Sequence, residues 1–105
     1  MRRRAVIYTP DAGNDLDRIY NTIAEASSAI TADRYDSRIR AFCERLEYGS
    51  ERGTQRDDVR PDLRIVGFER RVTVAFVVEP DQVVILRVFY GGTNWSNELA
   101  EDNLG

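Results

Sequence analysis

The side chains best suited to chemistry gather near one strand end. In VVILRVFYGGTNW, Val83 to Trp95, a guanidinium (Arg87) sits inside an apolar strand, a phenol (Tyr90) marks its end, and Trp95 follows the Gly91-Gly92 pair. A second guanidinium, Arg71, opens the preceding strand. Arginine meets carboxylate or phosphate through two parallel N–H···O bonds, so Arg71 and Arg87 suit the holding of an anion. They do not suit proton transfer, because arginine stays protonated at any usable pH.

The residue types that are missing narrow the chemistry further. There is no histidine, and all fifteen cationic side chains are arginine. A histidine general base, a Ser-His-Asp triad, a Cys-His pair and Schiff-base lysine chemistry are therefore excluded. Zinc sites built from cysteine and histidine lose nearly all their ligands, since Cys43 is the one cysteine. Cys43 falls at an apolar helical position with nothing beside it to lower its pKa, and reads as a small buried hydrophobe. No metal, no cofactor and no catalytic residue are expected.

The arginines Arg60 and Arg64 flank a loop-to-strand junction and, with Arg71 and Arg87, are candidate anchors for an acidic partner. Each also has a plain reading as a surface charge. Trp95 either folds back over the core or stands as an anchor for a protein partner, since tryptophan is enriched among binding hot spots.

These residues are positioned by a chain of 105 residues, room for one domain (1–105) with a single core. Its 42% hydrophobic and 31% charged content is that of an ordinary soluble globular protein. No apolar run reaches the roughly 18 residues needed to span a bilayer, and MRRRAVIYTP lacks the hydrophobic stretch of a signal peptide, so a cytoplasmic protein without membrane contact is expected. A net charge of −3 argues against coating nucleic acid by bulk charge, and no direct sequence-specific nucleic-acid binding is expected.

RAVIY (Arg4 to Tyr8) reads as a first strand. Thr9-Pro10-Asp11 is a helix start, with an N-cap hydroxyl, proline at N1 and an acid at the positive end of the dipole. Leu16, Ile19, Tyr20 and Ile23 form one apolar stripe, with Asp15, Asp17, Arg18 and Asn21 pointing elsewhere. After ASSAIT a second helix carries Tyr35, Ile39, Phe42, Cys43 and Leu46, stopped by Gly49. A polar loop from Ser50 to Asp62 precedes three strands, Leu63–Phe68, Arg71–Glu79 and Gln82–Tyr90, joined by hairpin-length turns at Glu69-Arg70 and Pro80-Asp81. The fold expected is α+β: an N-terminal strand and a two-helix hairpin packed on an antiparallel β-sheet.

Strand periodicity then divides the faces. An unpaired guanidinium is too costly to set against the helices, so Arg87 is expected on the open face with Val83, Ile85 and Phe89. Val84, Leu86, Val88 and Tyr90 would face the helices. In the middle strand Val72, Val74, Phe76 and Val78 form the core set, leaving Thr73, Ala75 and Val77 on the open face with Arg71. Val77, Val83, Ile85 and Phe89 would line an apolar groove that a partner could bury.

GTQRDDVRPDLRIVGF (Gly53 to Phe68) and VVILRVFYGGTNW together resemble the ParE-type toxins of the RelE/ParE superfamily of bacterial toxin–antitoxin modules, and the resemblance covers nearly the whole chain. It implies a small sheet with a helical hairpin, a cognate ParD-like antitoxin whose C-terminal segment wraps the toxin in a hetero-oligomer, and DNA gyrase as the target. RelE-type relatives instead cut messenger RNA on the ribosome with basic residues and a tyrosine or histidine near the chain end. Arg71, Arg87 and Tyr90 are the residues from which such a set would have to come. The missing base, the absence of any cation in GGTNWSNELAED and the opposite faces of Arg87 and Tyr90 favour the gyrase reading, with an antitoxin-binding regulatory relative as a third possibility.

Overall fold

The computed structural model describes residues 4–48 and 52–91. The elements follow in the order β1 (Ala5–Tyr8), α1 (Pro10–Ala26), α2 (Ala29–Glu44), a 3₁₀ turn (Arg45–Glu47), β2 (Thr54–Gln55), β3 (Arg64–Phe68), β4 (Val72–Val78) and β5 (Gln82–Tyr90). They form one five-stranded sheet in the order β1-β5-β4-β3-β2. The β3-β4-β5 meander is antiparallel as expected, but β1 adds to β5 in parallel, so the sheet is mixed. The reversal has a simple cause: the chain from β1 crosses the sheet through both helices and three strands before returning beside β1 in the same direction.

Helix boundaries are set by hydroxyl caps. Thr9 Oγ1 accepts the Ala12 N–H at 3.1 Å and donates to the Leu86 carbonyl at 2.8 Å, so one side chain starts α1 and ties it to β5. Ser28 Oγ accepts the Thr31 N–H and starts α2 after a two-residue link, which forces the helices into an antiparallel hairpin. Ala12, Leu16 and Ile19 of α1 and Tyr35, Ile39 and Cys43 of α2 enter one core with Val72, Val74 and Phe76 of β4. The middle-strand assignment therefore holds. Gly49 and Trp95 lie outside the described residues.

The last strand departs from a strict period of two. Ala75 pairs with Arg87 but Phe76 pairs with Ile85, so Leu86 is an extra residue, a β-bulge. Each bulge residue inverts the parity of what precedes it. Val83 and Ile85 consequently face the helices and are fully buried, opposite to the expected open face. Val88 and Tyr90, beyond the bulge, face the helices as expected. Leu86 packs on the second face instead, and Val84, paired with Val77, shares it.

That second face is not open either. Leu63, Ala75 and Phe89 are buried there with Val59, Ile65 and Leu86 around them. The covering piece is the RDDVRPD segment, a compact loop. Arg56 N–H donates to the Leu63 carbonyl at 2.7 Å, Asp57 accepts the Asp62 N–H at 2.8 Å, and Leu63 N–H closes a turn on Arg60. Pro61 followed by Asp62 at φ 63° is the residue order of a type II turn. The Arg56 guanidinium, forked onto Asp58, holds that carboxyl below the ordinary carboxylate range.

Gly53, immediately before β2, sits at φ 81°, and a Cβ there would come within 2.1 Å of the Ile65 carbonyl oxygen. Both the conformation and the contact exclude other residues. Gly53→Ala is expected to lose about 2–3 kcal/mol, read as a fall in Tm in a thermal melt, because the β2-β3 pairing must open to admit the methyl.

Cys43 and Tyr8 face each other under α2. Burial pushes the Cys43 thiol from 9.0 up to about 11 and raises Tyr8 as well. The Tyr8 hydroxyl sits against the thiol without a well-formed hydrogen bond. A folded-state pKa above the unfolded one gives stability that is complete below the unfolded value and lost on the way up to the folded value. Unfolding free energy should therefore fall by roughly 3 kcal/mol between pH 9 and 11. Denaturant melts across that range would show it, and Cys43→Ala would flatten the decline, leaving the part that Tyr8 adds at higher pH.

Candidate partner-binding site at the free edge of the last strand

Because β1 ends at Tyr8, opposite Ile85, the second half of β5 has no strand on that side. The N-terminal half of α1 closes the edge. Tyr8 is followed by Thr9, whose N–H bonds the Ile85 carbonyl at 3.1 Å, and six residues later Asp15 accepts the Val88 N–H at 2.9 Å. The same carboxylate takes Arg87 in a fork, Nε to Oδ2 at 2.7 Å and Nη2 to Oδ1 at 3.0 Å. The two side chains are 13% and 4% exposed. Arg18 adds a longer contact to Oδ1 at 3.7 Å.

Arg87 therefore leaves the second face, lies over the Phe89 ring at 4.9 Å and turns round the strand edge to α1. Its charge is committed inside the fold. The bulge at Leu86 is what re-aims it, since bulges twist a strand and redirect the side chain beside them. Asp15 was expected to point away from the core and is instead its buried acid. The signal was available: Asp15 lies at i+3 from Ala12 and i−4 from Ile19, so it occupies an apolar position of the α1 stripe.

The remaining candidates separate into two ends of the sheet. Arg64 pairs across from Phe76 and, like Arg60, is half-buried beside the RDDVRPD loop. Arg71 lies at the other end of β4, exposed, with its carbonyl accepting the Gly91 N–H. Val83 and Ile85 are buried and present nothing to a partner in this fold, Phe89 is buried but for its edge on a concavity, and Val77 is half-buried on the second face.

Two concavities meet at Tyr90. One of about 180 Å³ runs along the β5 edge between Asp15, Arg18, Thr22, Arg87 and Phe89. The other, about 370 Å³, opens between the helical hairpin and the sheet end, where Arg71 and Tyr90 meet Arg34, Tyr35 and Arg38. Arg87 does not line the second cavity, so Arg71, Arg87 and Tyr90 are not gathered around one space. Pairing also places Arg87 and Tyr90 on opposite faces of β5. Arg34 and Arg38 were not singled out in the sequence, although their i, i+4 spacing beside Tyr35 puts all three at neighbouring positions of one helix. Among the described residues no cluster of three metal-ligating side chains occurs, and no helix is long and apolar enough to cross a membrane.

A strand, a helical hairpin and a mixed sheet with a glycine exit define the class, and comparison with known proteins identifies it. Residues 6–95 match the family described as the ParE toxin of the type II toxin–antitoxin system parDE. The chain belongs to that family. It is 30% identical over 96 residues to Toxin ParE3 of Caulobacter vibrioides, covering 91% of this chain and 95% of that one. A solved chain from the chromosomal ParDE toxin–antitoxin system of P. aeruginosa shares the fold, with a TM-score of 0.74 at 22% identity over 85% of this chain and 97% of that chain.

Proposed function

We propose that this ParE toxin acts by protein contact on DNA gyrase and is held inactive by a cognate ParD-like antitoxin in a hetero-oligomer. The observation that carries the reading is the state of the strand end. Arg87, the one cation inside the final strand, is forked onto a buried carboxylate, and neither a histidine nor a lysine stands ready to move a proton. An arrangement without a base supports docking better than cleavage. Membership of a family named for its toxin–antitoxin pairing supports the antitoxin partner.

Within this reading the contacts fall on exposed groups. Arg71 with the concavity at Tyr90 offers charge, and Ile30, 64% exposed at the start of α2, offers apolar surface beside the same hairpin. Arg60 and Arg64, half-buried at the opposite end of the sheet, are secondary contacts that reach a partner only through their partly exposed side chains. Inducing the protein alone in a bacterial host is expected to stop growth, and co-expression with a small antitoxin from the adjacent reading frame to restore it with a stable complex on gel filtration. Growth arrest that the antitoxin leaves untouched would count against the pairing.

A further inference from the structure

The cavity of about 370 Å³ between the hairpin and the sheet end has a charge unlike the rest of the molecule. The chain carries −3 overall, yet this lining holds Arg34, Arg38 and Arg71 and no acid. Arg38 is fixed in place. Glu69 takes it in a two-bond fork at 3.1 Å each, and its guanidinium lies 5.1 Å from the Tyr35 ring centre. Glu69 is itself held at φ 49° and Arg70 at φ 63°, two left-handed residues in the turn that the Arg71 N–H closes on the Phe68 carbonyl. Non-glycine residues persist there only where the surroundings over-determine them.

Arg34 and Arg71 have no carboxylate partner among the described residues. Three guanidinium groups less one glutamate leave two positive charges. A single carboxylate side chain would neutralise one; a phosphate monoester, at about −1.5 to −2, neutralises both. Thr31 places the first turn of α2, the positive end of its dipole, on the same rim. The walls are aromatic: Tyr35 and Tyr90 meet edge to face at 6.2 Å, giving an apolar side for the organic part of a ligand. The volume lies within the range of small-molecule sites.

We infer that this cavity binds a dianionic phosphate group, free or carried on a small ring-bearing ligand, through Arg34, Arg38 and Arg71 with the ring against Tyr90. The site is separate from the Asp15–Arg87 pair and does not depend on gyrase being the target.

Isothermal titration of the full chain with inorganic phosphate, a nucleoside 5′-monophosphate, the same nucleoside without phosphate, and an acidic peptide tests this. Saturable binding of the monophosphate, with none of the bare nucleoside, is expected. Tighter binding of the monophosphate than of inorganic phosphate would point to an organic carrier, and equal binding to the free ion. Arg34→Ala and Arg71→Ala should each weaken binding about tenfold or more, whereas Arg56→Ala, in the distant loop, should leave it unchanged. Both cavity arginines are exposed, so the variants can be checked for an unaltered melt. Absence of saturation by either phosphate at ~10 mM, affinity indifferent to both arginine changes, or binding of the acidic peptide alone would overturn the assignment.

Discussion

Asp15→Ala is expected to be the most damaging polar substitution among the described residues, costing about 3–5 kcal/mol. The carboxylate does two things at once: it forks Arg87 and it accepts the Val88 N–H where no strand covers β5. Alanine leaves a largely buried guanidinium without its counter-charge and a buried backbone donor without an acceptor. Asp15→Asn keeps the acceptor and loses the charge, so it should cost clearly less. Arg87→Ala should fall between them, because Asp15 retains the Val88 N–H and the longer contact to Arg18. For a domain of this size the alanine variant would lower Tm by on the order of 15 °C. An order of severity in which asparagine equals alanine would mean that the backbone bond contributes nothing. A double-mutant cycle of Asp15→Asn with Arg87→Ala isolates the pair energy.

Phe76→Ala is expected to cost a similar amount, about 3–5 kcal/mol, by a different route. Phe76 is fully buried at the centre of β4, paired with Ile85 on the near side of the bulge. Its ring lies in the core that receives α1 and α2 together, so truncation leaves a cavity that neither helix can fill without losing its other contacts. Against a total stability of roughly 5–15 kcal/mol, a loss of that size brings the chain close to unfolding at ordinary temperature. Chemical denaturation should show a lower midpoint with an unchanged slope. Phe76→Leu, which keeps most of the volume, should recover the greater part.

Most of this architecture could be read from the residues. Thr9-Pro10-Asp11 and Ser28 mark helix starts by a mechanism that needs no tertiary context, and the β4 alternation is unbroken, so its core set came out right. The face errors in the last strand share one cause, the bulge. A period of two counts residues, and Leu86 adds one without any sequence mark such as glycine or proline. Val83, Ile85, Val84 and Leu86 therefore landed on the wrong faces, while Val88 and Tyr90 beyond it did not. The cost argument that put Arg87 away from the helices was sound only for an unpaired charge. Its partner is 72 residues distant and sat unnoticed on the α1 stripe. The open groove failed for a further reason, that the RDDVRPD loop folds over the second face and buries Leu63 and Phe89.

The family fixes what kind of protein this is, and the committed state of Arg87 is what turns the reading toward docking. Supercoiling of relaxed DNA by purified gyrase, measured with increasing amounts of this protein, is the most direct check. The account predicts loss of supercoiling or trapped cleaved DNA, relieved by the antitoxin, with message in a translation extract left intact. Untouched gyrase together with message cut at codon boundaries would contradict it.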